Sequence, residues 1–292
     1  MCRLFGMSAG RQRVQATFWL LEAPNSLAQQ SHREPDGTGL GTYDPDGRPI
    51  VSKQPLAAYE DQEFARAARS IASSTFIAHV RYASTGSLTP QNTHPFEQRS
   101  RLFAHNGVIE ELDRLERELG DAMELVEGET DSERFFALIT REIDRRGDVS
   151  EAIAAAARWV AENLPLLALN LVLISESELW ALRYPETHEL YVLERPAGGP
   201  DGTRSLDHSS ARRRIKVHSD DLSTSPAVVI ASEPMDDDPA WRLLNSGELL
   251  HVDGDLTVSS HSVLEGPPAH PLTLADLDPR ARSSQQPQVA QT

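Results

Sequence analysis

The chain opens with short apolar runs separated by polar turns, passes through a block of long helical periods, and returns to short strands. Residues 3–9 alternate weakly into Gly10 and predict a first strand, and the mostly apolar stretch Val14 to Leu21, interrupted by Pro24, predicts a helix. Thr38–Asp44 and Pro49–Gln54 flank Pro45-Asp46-Gly47, residues that favour a turn, and so predict a hairpin. Residues 61–72 read as a helix and Thr75–Tyr82 as a buried strand. Arg101–His105 predicts a short strand that stops at Asn106-Gly107, a dipeptide suited to a tight turn. Ile109–Leu119, Ser132–Arg146 and the Ala-rich Ser150–Leu164, closed by Pro165, carry helical spacing. Leu169–Ser175, Glu178–Arg183, Glu189–Leu193 and Val228–Ala231 predict strands, and Glu248–Val252 with Leu256–Val258 predicts a closing hairpin around Asp253-Gly254-Asp255. Strands, a helical block and strands again predict an α+β layered sandwich, not a doubly wound parallel sheet.

Two stretches have no period. Residues 196–211 hold Gly, Pro, Asp and Ser and predict a surface insertion. From Gly266 onward Pro, Ala, Ser and Gln dominate, so the expected division is a domain over 2–265 and a disordered tail over 266–292. Forty-four acidic against 28 basic side chains give a formal charge of −16, which repels phosphate backbones and argues against nucleic acid as a partner. No apolar run approaches the roughly 20 residues that span a bilayer, and the first residues lack a signal-peptide pattern, so no membrane role is expected. One cysteine permits no internal disulfide, which fits a reducing cytoplasm.

That one cysteine, Cys2, stands directly behind Met1. Removal of Met1 would give the thiol a base on its own residue, since a free α-amino group titrates at about 7.7–8.0 and a thiol at about 8.5. A thiolate attacking an amide needs donors for the oxyanion; the Asn106 side chain and the Gly107 N–H could supply them, although Asn-Gly alone also reads as a plain turn. Arg81, at the end of an apolar strand, could clamp a carboxylate or be a surface arginine past a strand end. Asp131 could meet an ammonium or serve the first turn of a helix, where Thr130 and Glu133 form a capping-box pattern. His79, His94 and His105 fall close together in sequence without the spacing of a compact zinc motif, and no metal is expected there.

The segments Met1-Cys2-Arg3-Leu4-Phe5-Gly6, Pro35-Asp36-Gly37-Thr38-Gly39, Ala78-His79-Val80-Arg81-Tyr82-Ala83-Ser84-Thr85-Gly86, Asn92-Thr93-His94-Pro95-Phe96, Ala104-His105-Asn106-Gly107 and Glu129-Thr130-Asp131-Ser132-Glu133 occur in this order. In this the chain resembles the class II glutamine amidotransferases, in particular the stand-alone type, and the resemblance extends through Ala231-Ser232-Glu233 and Ser246-Gly247-Glu248. It implies a four-layer α-β-β-α sandwich of the N-terminal nucleophile hydrolase type, with Cys2 as nucleophile and, through its amine, base. It further implies Asn106 and Gly107 as the oxyanion hole, Arg81 and Asp131 as holders of the glutamine carboxylate and ammonium, and Ser84 as a substrate-binding hydroxyl, with no cofactor. Tyr82 stands where several members carry Trp, and Ser84-Thr85 where some carry Thr-His. No phosphate loop or second nucleotide-binding block follows, so ammonia would pass to a synthetase subunit acting in trans, or the reaction would be hydrolysis of another γ-glutamyl amide, as in the ergothioneine-pathway amidase. A non-catalytic binding module is the reading that the complete residue set disfavours.

Overall fold

Arg3–Ser8 (β1) is buried at every position, with Phe5 and Met7 on one face and Leu4 on the other, so the strand needs apolar cover on both sides. The computed structural model, which describes residues 2–33, 35–82, 87–197 and 225–285, supplies that cover. After β1 come β2 (Val14–Gln15), a π-helical turn at Phe18–Glu22, α1 (Leu27–Gln30), β3 (Gly37–Tyr43), β4 (Pro49–Gln54), α2 (Gln62–Ser70), β5 (Ala72–Ser73) and β6 (Thr75–Arg81). Next are β7 (Phe96–Gln98), β8 (Arg101–Ile109), α3 (Leu112–Leu119), α4 (Asp131–Arg146), α5 (Val149–Asn163), β9 (Leu166–Ile174), β10 (Leu179–Arg183) and β11 (Tyr191–Arg195). The chain closes with β12 (Ala227–Ala231), β13 (Arg242–Leu243), β14 (Glu248–Val252), β15 (Val258–Ser262) and α6 (Pro279–Gln285).

One sheet has the order β13-β11-β12-β1-β6-β3-β4 and the other β15-β14-β10-β9-β8-β7, all neighbours antiparallel. Leu4, Ile77, Leu102, Val172 and Ile230 fill the space between them. Gly6 lets the sheets approach, since a Cβ there would lie 2.8 Å from Val172 Cγ1. Phe5, Met7, Trp19 and Phe64 form the core under the helices of the first sheet, and Phe103, Phe136, Ile153 and Leu171 that under α4 and α5. These cores give the α-β-β-α sandwich its four layers. Helix α4 begins at Thr130, whose Oγ1 accepts from the Glu133 N–H at 3.2 Å, and ends at Gly147 in the left-handed region (φ 76°).

Four expectations need correction. Val14–Leu21 is not one helix: Val14 pairs with Ser73 in a two-residue ladder before the π-turn, a tertiary contact that overrides apolar periodicity. The helix expected from Ile109 starts only at Leu112, because β8 continues through Ile109. The last strand lies at Val258–Ser262, not 256–258, and pairs Val258 with Val252. Finally, residues 266–285 are not disordered. The Leu166 N–H donates to His270 O at 3.1 Å and the Leu272 N–H to Leu166 O at 2.9 Å, while Leu277 and Ala281 bury against Val108 and Leu167. Two well-placed apolar anchors suffice where composition suggested too few. No helix among the described residues is long and apolar enough to cross a membrane.

Candidate active site

Neighbouring strand ends gather the chemistry. β1 and β6 pair in the register Arg3↔Val80, which sets Cys2 beside Arg81 and Tyr82. The Cys2 thiol donates to Tyr82 O at 3.4 Å, and the Tyr82 N–H donates back to Sγ at 3.3 Å. Cys2, Arg81, Tyr82, Gly107 and Asp131 line one narrow cleft of about 20 Å³, room for about one water.

Asn106-Gly107 is not a turn; it lies inside β8, opposite Asn170 and Leu169. Asn106 Nδ2 donates to Cys2 O at 3.0 Å, which uses one of its two N–H groups. At Gly107 a Cβ would lie 1.8 Å from Ala168 O, so this glycine is demanded by close backbone approach and not by turn geometry. Its partner Leu169 donates its N–H to Tyr184 O at 2.6 Å, on the far side of β9. In an antiparallel ladder that makes Gly107–Leu169 a non-hydrogen-bonded pair, and the Gly107 N–H points away from β9. Strand β7 covers β8 only as far as Phe103, so that N–H lies beyond the ladder, at the cleft.

Arg81 is buried at the end of β6; its Nη1 donates to Ser87 O at 3.3 Å and its carbonyl accepts from the Asp36 N–H at 3.0 Å. Burial lowers its pKa, opposed by the charges of Cys2, Asp36 and Asp131. Asp131 opens α4, where Oδ2 accepts from the Ile109 N–H and Oδ1 from the Ser132 N–H, both at 2.9 Å. It thus serves the helix start and faces the cleft at once. Glu133 completes no capping box: its carboxylate accepts from the Glu127 and Gly128 N–H groups instead. Ser84 lies outside the described residues, as does the insertion from residue 198 onward.

Sequence reading missed the supports of this site. Glu129 Oε2 accepts from Ser87 N–H (3.1 Å), Ser87 Oγ (2.9 Å) and Asn92 Nδ2 (3.0 Å), tying the segment after Arg81 to the start of α4. Asn92 and Glu129 both sit within the recognised segments, but spacing alone gives no sign that they meet. Helix α6 reaches the cleft mouth, with Ser283 Oγ 3.3 Å from the Tyr82 hydroxyl.

His79 and His94 pack ring to ring at 4.2 Å between centroids, with His94 on the wall of the cleft. Among the described residues, no group of three His, Cys, Asp or Glu side chains is arranged to hold a metal ion. Burial pushes His79 and His188 down to about 3 and lowers His94 and His105 as well. These imidazoles are neutral when folded, so below about pH 6.5 the unfolded state binds the extra protons and stability falls as pH falls. Each contributes a slope of about 1.4 kcal/mol per pH unit until its folded pKa is reached. Urea unfolding at pH 7.5 and 5.0, above the range of the carboxylates, is expected to show a loss of several kcal/mol; equal midpoints would contradict buried neutral histidines.

Residues 1–271 match the family model described as glutamine amidotransferases class-II. The gamma-glutamyl-hercynylcysteine sulfoxide hydrolase of Mycolicibacterium smegmatis is 30% identical over 245 residues, which cover 80% of this chain and 88% of that protein. The uncharacterized protein MJ1515 of Methanocaldococcus jannaschii is 30% identical over 265 residues, 86% of this chain and 68% of that one. Among solved structures, the glutamine phosphoribosylpyrophosphate amidotransferase from B. subtilis superposes with a TM-score of 0.61 at 19% identity, over 91% of this chain and 50% of that one. The last likeness shows the fold, which this chain shares with that protein.

Proposed function

The chain belongs to the class II glutamine amidotransferases, a family of enzymes, and on that premise we propose that it cleaves the γ-amide of glutamine through Cys2 and hands the ammonia to a separate acceptor subunit. The observation that carries this reading is the convergence of Cys2, Arg81, Gly107 and Asp131 on one cleft, with Asn106 bonded to the Cys2 carbonyl. With Met1 removed, the α-amine of Cys2 takes the thiol proton and the thiolate attacks the amide carbon. The oxyanion meets the second N–H of Asn106 Nδ2 and the N–H of Gly107. The amine then gives its proton to the leaving nitrogen, ammonia departs, and a γ-glutamyl thioester remains. Water, deprotonated by the same amine, attacks the thioester and releases glutamate with the thiol restored. Arg81 holds the substrate carboxylate, Asp131 its ammonium, and Ser84 adds a substrate-binding hydroxyl.

A second reading has its own support. The hydrolase relative matches this chain over most of both lengths, which favours a γ-glutamyl amide other than glutamine, hydrolysed without an acceptor. Ammonia release from glutamine and glutamate release from a panel of γ-glutamyl amides, with and without cell extract, separate the two. Slow glutaminase activity that rises with extract supports the first; rapid, complete hydrolysis of one amide by isolated protein supports the second. No turnover of any γ-glutamyl compound would remove both.

Arg81→Lys is expected to raise KM for glutamine about tenfold or more with a smaller change in kcat, because a bidentate clamp binds ground and transition states alike. Steady-state kinetics check it; a selective loss of kcat would move Arg81 to a different role.

A further inference from the structure

His105 stands on β8 beneath Gly107, buried, with its ring edge-on to Phe135 at 5.6 Å. A Cβ on Gly107 would lie 2.7 Å from its Nε2, so the ring is seated against the cleft wall. Nε2 is 3.2 Å from Ala168 O, an atom that can only accept, so Nε2 carries a proton. Burial lowers the pKa of this ring, although the Asp131 charge and the Ala168 carbonyl oppose the shift; the neutral ring therefore keeps a lone pair on Nδ1.

Ser132 Oγ lies 3.0 Å from that lone pair and 3.4 Å from Asp131 Oδ1. A hydroxyl has one proton and two acceptors compete for it here. The shorter contact takes it. Asp131 is then left with one backbone donor on each oxygen, from Ile109 and Ser132, and roughly half of a carboxylate's four acceptor positions unused. If the proton turned the other way, it would occupy one of the positions that a substrate ammonium needs.

We propose that His105 is a positioning residue for Asp131: by holding the Ser132 hydroxyl proton on Nδ1, it keeps Asp131 Oδ1 open to the ammonium of the substrate. The inference rests on the function proposed above, in which Asp131 binds that ammonium. His105 touches no reacting atom and acts only through Ser132.

Two experiments test it. In the wild-type protein labelled with 15N-histidine, NMR is expected to show His105 as the Nε2–H form with an unprotonated Nδ1, its signals identified among ten histidines by their loss in His105→Asn. An Nδ1–H form would overturn the inference whether or not glutamine is turned over. In kinetics with glutamine, His105→Phe is expected to raise KM about tenfold with kcat within about threefold, since the contact serves ground and transition states equally. His105→Asn, whose Oδ1 can stand where Nδ1 stood, and Ser132→Ala are each expected to stay within about threefold of wild type in KM. Adding Ser132→Ala to His105→Phe should bring KM back, because no hydroxyl remains to turn. A KM that stays raised in the double variant would mean that His105 acts through packing alone, and an unchanged KM in His105→Phe would mean that it does not act on Asp131. Wild-type protein inert toward glutamine would count against the proposed function only, and the NMR result would then decide the proton arrangement alone.

Discussion

Exchanging Cys2 for Ala is expected to abolish ammonia release from glutamine, a loss of about 10⁴ or more, while the fold stays intact. The size follows from the chemistry. The chain has one thiol, and without it no thioester can form, whereas the oxyanion donors and the substrate clamps remain and can still bind. The fold should tolerate the change because the contacts that Sγ makes with the Tyr82 backbone are long, 3.4 and 3.3 Å, and stability should fall by about 1–2 kcal/mol. Circular dichroism and a urea midpoint establish that, next to the activity assay. Intact mass completes the test: active wild-type protein should lack Met1, since only then is the Cys2 amine free to act as base. Active protein that retains Met1 would sink the mechanism.

Asn106→Ala is the next largest expectation, with kcat lowered about 10²–10³ and KM little changed, the usual pattern when one oxyanion donor is lost. Its second effect separates it from Cys2→Ala. Nδ2 also donates to the buried Cys2 carbonyl, which would keep only the longer 3.4 Å contact from Arg3 Nη1, and the lost bond should cost about 1 kcal/mol of stability. A variant with normal kcat and lowered stability would make Asn106 a structural brace of the first strand and nothing more.

Much of this site was legible in the sequence because it sits at the ends of strongly patterned elements. Arg81 ends the buried, mostly apolar strand β6, and Asp131 follows a Thr cap at the head of a long amphipathic helix. What pattern could not give was the reason for Gly107. Asn-Gly favours a turn locally, yet here the glycine serves a close approach to Ala168 across sixty residues of chain, a tertiary demand that leaves no periodic trace. The same holds for Val14, drawn into a ladder by Ser73, and for residues 266–285, where Leu277 and Ala281 are too sparse to register as a core but meet an apolar patch on β8 and β9. Side-chain pairs such as Asn92–Glu129 and His105–Ser132 join segments whose proximity only the assembled sandwich creates.

The place of β1 in its sheet has a consequence for how the protein is made. The strand that follows Cys2 lies between β6 and β12, and β12 comes from residues 227–231, far later in the chain. Until those residues emerge, the first strand can be no more than an edge, with one side unpaired. Cys2 is thus held from one side only until residues 227–231 have been made, and it reaches its place between the two neighbouring strands only then. A nascent or truncated chain lacking β12 would carry the thiol but not the geometry that makes it reactive.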